Sequence, residues 1–242
     1  MSAANEGYNP GKFLDQVLAR FSLLDLLKES ESRGWSAVTL NGEQIKKMHY
    51  HLRTQSELAG YELIPNRRGQ GVIDTLRPSP QAEAHPNSLS SRYGLGQQPL
   101  HTDGAHLEEP PDVVLLWSEQ SSDVPTRIWR PRSVPLIEKR GLFSVTDGKD
   151  IRLAPACDSD GVYRFDPVCM RPLDHFSKLL CERFSNPPEE EVSAFKWNAP
   201  NTVLLIRNGV VLHGRSRVEN HDSERVLFRA AMRKTKHEPV HT

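Results

Sequence analysis

The segment Pro99-Leu-His101-Thr-Asp103-Gly104 sets an imidazole and a carboxylate two residues apart. On an extended backbone, side chains two apart project from the same face, so this pair can share one ion. A lone His-x-Asp arises often by chance, and the pair needs a third ligand to mean anything. Asn208-Gly-Val-Val-Leu-His213-Gly214-Arg215 offers one: an isolated histidine after an apolar run, followed by a glycine that frees the chain to turn. Two histidines and one carboxylate, the third ligand far along the chain, make the facial triad of non-haem iron(II) sites, which leaves coordination positions open. Zinc using the same ligands remains an alternative. The cysteine patterns of zinc sites do not support it, since there is no PCxxC and no cysteine close to either cluster.

A third group of residues points to an anion. Arg225-Val-Leu-Phe-Arg229-Ala-Ala-Met-Arg233 reads as a strand whose period of two puts Arg225, Leu227, Arg229, Ala231 and Arg233 on one face. An inward-facing arginine needs an anionic partner. The distal carboxylate of 2-oxoglutarate is such a partner, because a guanidinium fork can hold it through two parallel charge-assisted hydrogen bonds. Arg225 and Arg229 would lie roughly 13 Å apart at about 3.3 Å per residue, so they are expected to hold different groups.

Positioning these residues falls to a chain that reads as many short strands with a few helices. Phe13, Leu14, Val17, Leu18, Phe21, Leu24 and Leu27 recur at helical steps and predict an opening helix that ends at Ser30 to Gly34. Trp35 to Leu40 reads as a strand, Asn41-Gly42 as a turn, and Glu43 to Ala59 as a second helix. Residues 1–64 thus form an α/β preamble. Residues 65–98, with Gly69, Gly71, Pro78, Pro80, Pro86, Gly94 and Gly96, read as an irregular stretch able to serve as an active-site loop. Residues 99–233 read as the metal-binding core, with strands at Val113–Trp117, Arg127–Trp129, Leu142–Val145, Ile151–Leu153, Val162–Phe165, Thr202–Arg207, Val210–Leu212 and Arg225–Arg233, and one helix near Pro172–Phe184. The fold class expected is mainly β with flanking helices, a jelly-roll core in one domain spanning 1–242.

Bulk composition narrows the function. With 31 basic and 31 acidic residues the charges cancel, leaving no broad positive field for nucleic acid or an anionic membrane. The stretch from Phe13 to Leu27 is broken by Asp15, Gln16, Arg20 and Asp25, which argues against a signal peptide or span and for a cytoplasmic protein acting on a small molecule. Cys157, Cys169 and Cys181, an odd count without a CxxC pair, read as reduced thiols. Oligomeric state is left open.

Leu100 to Gly104, Asn208 to Arg215, and the arginines twelve and sixteen residues beyond His213 together resemble the taurine dioxygenase and clavaminate synthase-like superfamily of Fe(II)/2-oxoglutarate-dependent oxygenases. The likeness covers roughly Ser88 to Arg233, with Arg33 to Val38 similar to an early strand of these proteins. The resemblance implies a double-stranded β-helix, iron(II) held by His101, Asp103 and His213, 2-oxoglutarate chelating that iron, and dioxygen as the oxidant. It also implies that Arg225 grips the distal carboxylate with help from Thr126, although Val124-Pro125 stands where the family usually has Gly-Gly. Arg229 matches an arginine that meets substrate in some members, and is the alternative 2-oxoglutarate anchor; a buried salt bridge is its plainer role. The implied reaction is hydroxylation of an unactivated carbon of a small polar or anionic molecule, such as an amino-acid derivative, with release of succinate and CO2. Desaturation or cyclisation on the same centre, and a non-catalytic ligand-binding barrel, are the rival readings.

Overall fold

The computed structural model describes residues 21–236, apart from 67, 68, 70, 87, 133, 159, 160, 220, 221 and 223. Helix α1 (Leu23–Arg33) opens on Ser22, whose hydroxyl accepts from the Asp25 N–H, and closes at Gly34 in the left-handed region. A Cβ on Gly34 would stand 2.5 Å from Val211 Cγ1, so only glycine lets the chain turn directly into β1 (Trp35–Thr39). Phe13 to Leu18 of the expected opening helix lie outside the described residues. A capping box between Asn41 and Gln44 then starts α2 (Gly42–Leu58). After it come β2 (Tyr61–Ile64), β3 (Ile73–Leu76), α3 (Leu89–Tyr93), β4 (Val113–Ser118), β5 (Ser122–Trp129), α4 (Leu136–Lys139), β6 (Leu142–Thr146), β7 (Ile151–Pro155), β8 (Met170–Pro172), α5 (His175–Ser185), β9 (Ser193–Trp197), β10 (Thr202–Arg207), β11 (Leu212–Arg215) and β12 (Leu227–Lys234).

The strands pair antiparallel in three sheets. A major sheet runs β1-β10-β4-β12-β2, with β3 also on β12; a minor sheet runs β11-β5-β9; a third runs β7-β6-β8. The middle of the major sheet is covered on both faces, which is why β4 and β10 read as continuous apolar runs rather than alternating ones. Val113, Leu115, Trp117, Val203 and Leu205 pack with Leu26, Ile45, Met48 and Leu52 of α1 and α2. Val114, Leu116, Leu204 and Ile206 pack instead with Ile128 and Trp197 of the minor sheet. The second of these layers lies between the major and minor sheets and includes Ile128, the register partner of His213, and Trp197, over whose ring Arg225 lies. A separate cluster around Phe143, Phe165, Leu180 and Phe184 joins the third sheet and α5 to Leu100, Trp129 and Leu212.

The mainly β architecture with flanking helices is the one expected, but four local expectations are corrected. The stretch 65–98 contains β3, which is too short to show a period. Val162–Phe165 is no strand: Tyr163 makes only an isolated bridge to Cys157, and the Phe165 N–H goes to the Thr102 hydroxyl. The expected strand at Val210–Leu212 lies later, at Leu212–Arg215, because the N–H groups of Val210 and Val211 close a turn on Arg207 O. Finally, β12 begins at Leu227, and the Arg225 N–H is used in a turn onto Asp222 O. Among the described residues no helix is long and apolar enough to cross a membrane.

Candidate metal centre

His101 and His213 face each other across an isolated antiparallel bridge, each N–H donating to the other's carbonyl at 2.9 Å. That pairing brings the two rings to a centroid separation of 4.8 Å. The chain through Pro99 passes directly against Gly214, where a Cβ would meet Pro99 O at 2.6 Å. Asp103 is fixed by Asn208, whose side-chain oxygen accepts from the Asp103 N–H at 2.8 Å and whose amide donates to Asp103 O at 2.9 Å and Pro111 O at 2.8 Å. Thr102, between the two ligands, points the other way and accepts from the Phe165 N–H. The alternation expected of His-x-Asp is therefore realised on backbone held by partners rather than on a long strand.

The three side chains converge while buried. His101, Asp103 and His213 each offer a ligand atom, and these atoms lie within 4.8 Å of one another. Asp103 Oδ1 stands 3.4 Å from His101 Nε2 and 3.7 Å from His213 Nε2. Adjacent ligands on a metal with bonds of about 2.1 Å stand about 3 Å apart, so a small movement closes this set on one ion. His101 Nδ1 lies 3.1 Å from Pro99 O, a contact that holds the ring with Nε2 turned toward Asp103. The Nδ1 of His213 is buried without a hydrogen-bond partner among the described residues. Nitrogen and oxygen donors of this kind suit iron, zinc or a similar divalent ion.

Charge at the centre is strongly coupled. Burial alone would raise the Asp103 carboxyl, but the Arg229 guanidinium, a hydrogen bond from His101 and the charges of both imidazoles outweigh it and hold Asp103 well below the usual carboxylate range. Burial pushes His213 down to about 4, against the pull of Asp103. For His101 burial also acts downward, yet the hydrogen bond and charge of Asp103 win and raise it.

Two further expected residues meet away from these ligands. Arg225 is buried, its Cζ 5.7 Å over the ring of Trp197, and the Trp197 indole donates to Thr126 Oγ1 at 3.1 Å. Burial draws the Arg225 guanidinium down to about 10, with Asp222 acting upward and Arg215 downward, so it stays charged at neutral pH. Its Nε and Nη2 have no hydrogen-bond partner among the described residues. Buried donors are almost always paired, and two guanidinium nitrogens left without partners suit an anionic group. Asp222 Oδ2 accepts from Ser122 Oγ and the Val124 N–H, tying the Arg225 segment to the start of β5. There β5 shifts register between Ser122 and Thr126, an irregularity that accommodates Pro125, which has no N–H to donate. Arg229 is placed differently: Nη1 donates to Asp103 Oδ2 at 3.1 Å, while Nη2 and Nε donate to Asp74 Oδ2 at 2.8 and 3.3 Å.

Compared with known families and with curated proteins, the sequence matches none. Solved structures do match. The non-haem iron oxygenase OrfP with Fe, succinate and (3S)-hydroxy-L-Arg aligns at a TM-score of 0.65 and 17% identity, over 86% of this chain and 78% of that one. The same protein with Fe and alpha-ketoglutaric acid gives 0.66 and 17%, over 88% and 79%. Asparagine oxygenase with Fe(II), 2S,3S-3-hydroxyasparagine and succinate gives 0.65 and 12%, over 92% and 79%. The fold is that of the non-haem iron oxygenases. Within this fold His213 pairs in register with Ile128 of β5, and Arg225 lies over Trp197 of β9, which bonds Thr126 of β5.

Two residues near the site carried no recognisable sequence signal: Asp74 sits in a stretch without periodicity and Trp197 on a strand not anticipated. Asn208 stood in the second motif, but nothing there showed that its side chain would hold the Asp103 backbone. His237-Glu-Pro-Val-His241 has the spelling of a helical zinc motif, with a proline where a helix interior disfavours one, and lies outside the described residues.

Proposed function

We propose that this chain, acting as one domain, is an Fe(II)- and 2-oxoglutarate-dependent oxygenase that hydroxylates a small polar substrate, an amino acid or close derivative. The observation that carries the reading is the buried convergence of His101, Asp103 and His213 on one point of an oxygenase fold. These three would hold the metal. Bound iron(II) with dioxygen would supply the oxidation, 2-oxoglutarate being converted to succinate and CO2 as one oxygen atom enters the substrate. The chain itself binds and positions. Arg225, with two buried nitrogens lacking partners, would take the distal carboxylate of 2-oxoglutarate, and Thr126, hydrogen-bonded to the Trp197 ring beneath it, would complete that end of the site. Arg229, already on two carboxylates, is the weaker candidate for that anion.

An amino-acid substrate is supported by the bound molecules of the structural neighbours, hydroxylated arginine and hydroxyasparagine. The test is succinate release from 2-oxoglutarate with iron(II), ascorbate and a panel of free L-amino acids. Turnover with one or more of them is expected, and its loss in His101→Ala and His213→Ala. Turnover left intact in both variants would sink the proposal.

A further inference from the structure

Asp74 lies directly across from Arg229 in the β3–β12 ladder. The guanidinium between Asp74 and Asp103 has all three of its nitrogens committed to these two carboxylates. The three side chains retain only 17%, 14% and 6% of their exposure, for Asp74, Arg229 and Asp103 in turn. The two oxygens of Asp103 are thereby divided: Oδ1 faces the histidine Nε2 atoms and Oδ2 faces Arg229.

Resting on the iron reading above, we propose that Asp74 is a positioning residue for the metal centre. It acts through Arg229 to hold Asp103 Oδ2, so that Asp103 presents one oxygen to the metal rather than two. Two physical arguments carry this. A carboxylate with both oxygens available can chelate a divalent ion and occupy a position that the chemistry needs open; engaging Oδ2 with a guanidinium prevents it. A lone guanidinium one hydrogen bond from the ligand set would also repel an incoming divalent cation. Asp74 offsets that charge, so Arg229 can orient Asp103 without weakening the site. The two arginines thus divide the work: Arg225 has buried nitrogens without partners, whereas Arg229 is saturated by carboxylates.

The test uses cobalt(II) as a probe of the metal-free protein, read by calorimetry and by the visible d–d absorption of the bound ion. Asp74→Asn should bind cobalt(II) about 10–100-fold more weakly, the usual cost of losing an outer partner of a ligand, with an altered d–d spectrum. In an Arg229→Gln background the same substitution should have little further effect, since its route to Asp103 is gone. Wild-type affinity and spectrum in Asp74→Asn, or an equal loss in both backgrounds, would overturn the proposal. Should Asp74→Asn not fold, Arg229→Lys carries the test: it keeps the charge and loses the fork, so wild-type binding there overturns the proposal equally. Wild-type protein that takes up no cobalt(II) would remove the iron reading together with this one, whereas normal wild-type binding with an unaffected Asp74→Asn removes this one alone.

Discussion

Replacing Arg225 with methionine should make the metal-free protein more stable while removing its grip on the cosubstrate. Nε and Nη2 of Arg225 are buried without hydrogen-bond partners among the described residues. Each such donor costs about 1–3 kcal/mol, hence about 2–6 kcal/mol for two. The Trp197 ring, 5.7 Å from Arg225 Cζ, returns about 0.5–2 kcal/mol as a cation–π contact. An unbranched methionine fills much of the same space without a charge, so a net gain of about 1–4 kcal/mol is expected. That is a rise of several degrees in Tm at about 2–4 °C per kcal/mol. The opposite effect falls on binding. Two charge-assisted hydrogen bonds at about 1.5–3 kcal/mol each make a loss of about 3–6 kcal/mol, or about two to four orders of magnitude in affinity. Anaerobic thermal unfolding, first metal-free and then with iron(II) and 2-oxoglutarate, reads both. The wild-type Tm should climb with 2-oxoglutarate concentration as mass action requires, while the Arg225→Met curve starts higher and stays flat. A variant that melts below wild type without ligand and still responds to 2-oxoglutarate would refute the assignment.

Asn208→Ala removes the side chain that satisfies the Asp103 N–H and two carbonyls, and should cost about 2–4 kcal/mol in urea unfolding along with weaker metal binding. Gly214→Ala places a methyl 2.6 Å from Pro99 O; about 1–3 kcal/mol of destabilisation is expected, with cobalt(II) affinity reduced because the His101 segment must shift. His49 accepts a hydrogen bond from the Trp117 indole, and burial lowers its pKa against the upward pull of Glu119. Its folded pKa lies below the unfolded value of about 6.5, so the unfolded chain binds the proton first. The stability His49 contributes is complete above that value and is lost as pH falls through the folded pKa. Urea midpoints between pH 7.5 and 5 should therefore fall more steeply for wild type than for His49→Phe, and parallel slopes would refute this.

How much was legible in the sequence depends on how locally each feature is encoded. His101 and Asp103 stand two apart and His213 follows an apolar run, so their types and spacing could be read directly. The buried strands at Val113–Ser118 and Thr202–Arg207 announced themselves by unbroken apolar character. For Arg225 the strand period does not apply, although its distance from His213 also pointed to it: it lies before β12 rather than on its inward face, and a turn onto Asp222 and the Trp197 ring set its position. Asp74 was invisible because its meaning comes wholly from Arg229, a partner across the β3–β12 ladder. A four-residue strand has too few positions to display a period, and β9 with its mixed polar and apolar residues hid Trp197 in the same way.

The hydrogen bonds between Asp103 and Asn208 join residues 105 apart in the chain. A centre closed over that distance cannot exist in a partly folded molecule, because neither ligand segment holds its shape without the other. Long-range closures of this kind form slowly during folding, and any metal that binds the assembled centre pulls the equilibrium toward the finished state. The same closure also ties in the third sheet and α5: Phe165 exchanges hydrogen bonds with Thr102, and Phe143 and Leu180 share a cluster with Leu100 and Leu212, so changes in that excursion reach the His101–His213 bridge through packing.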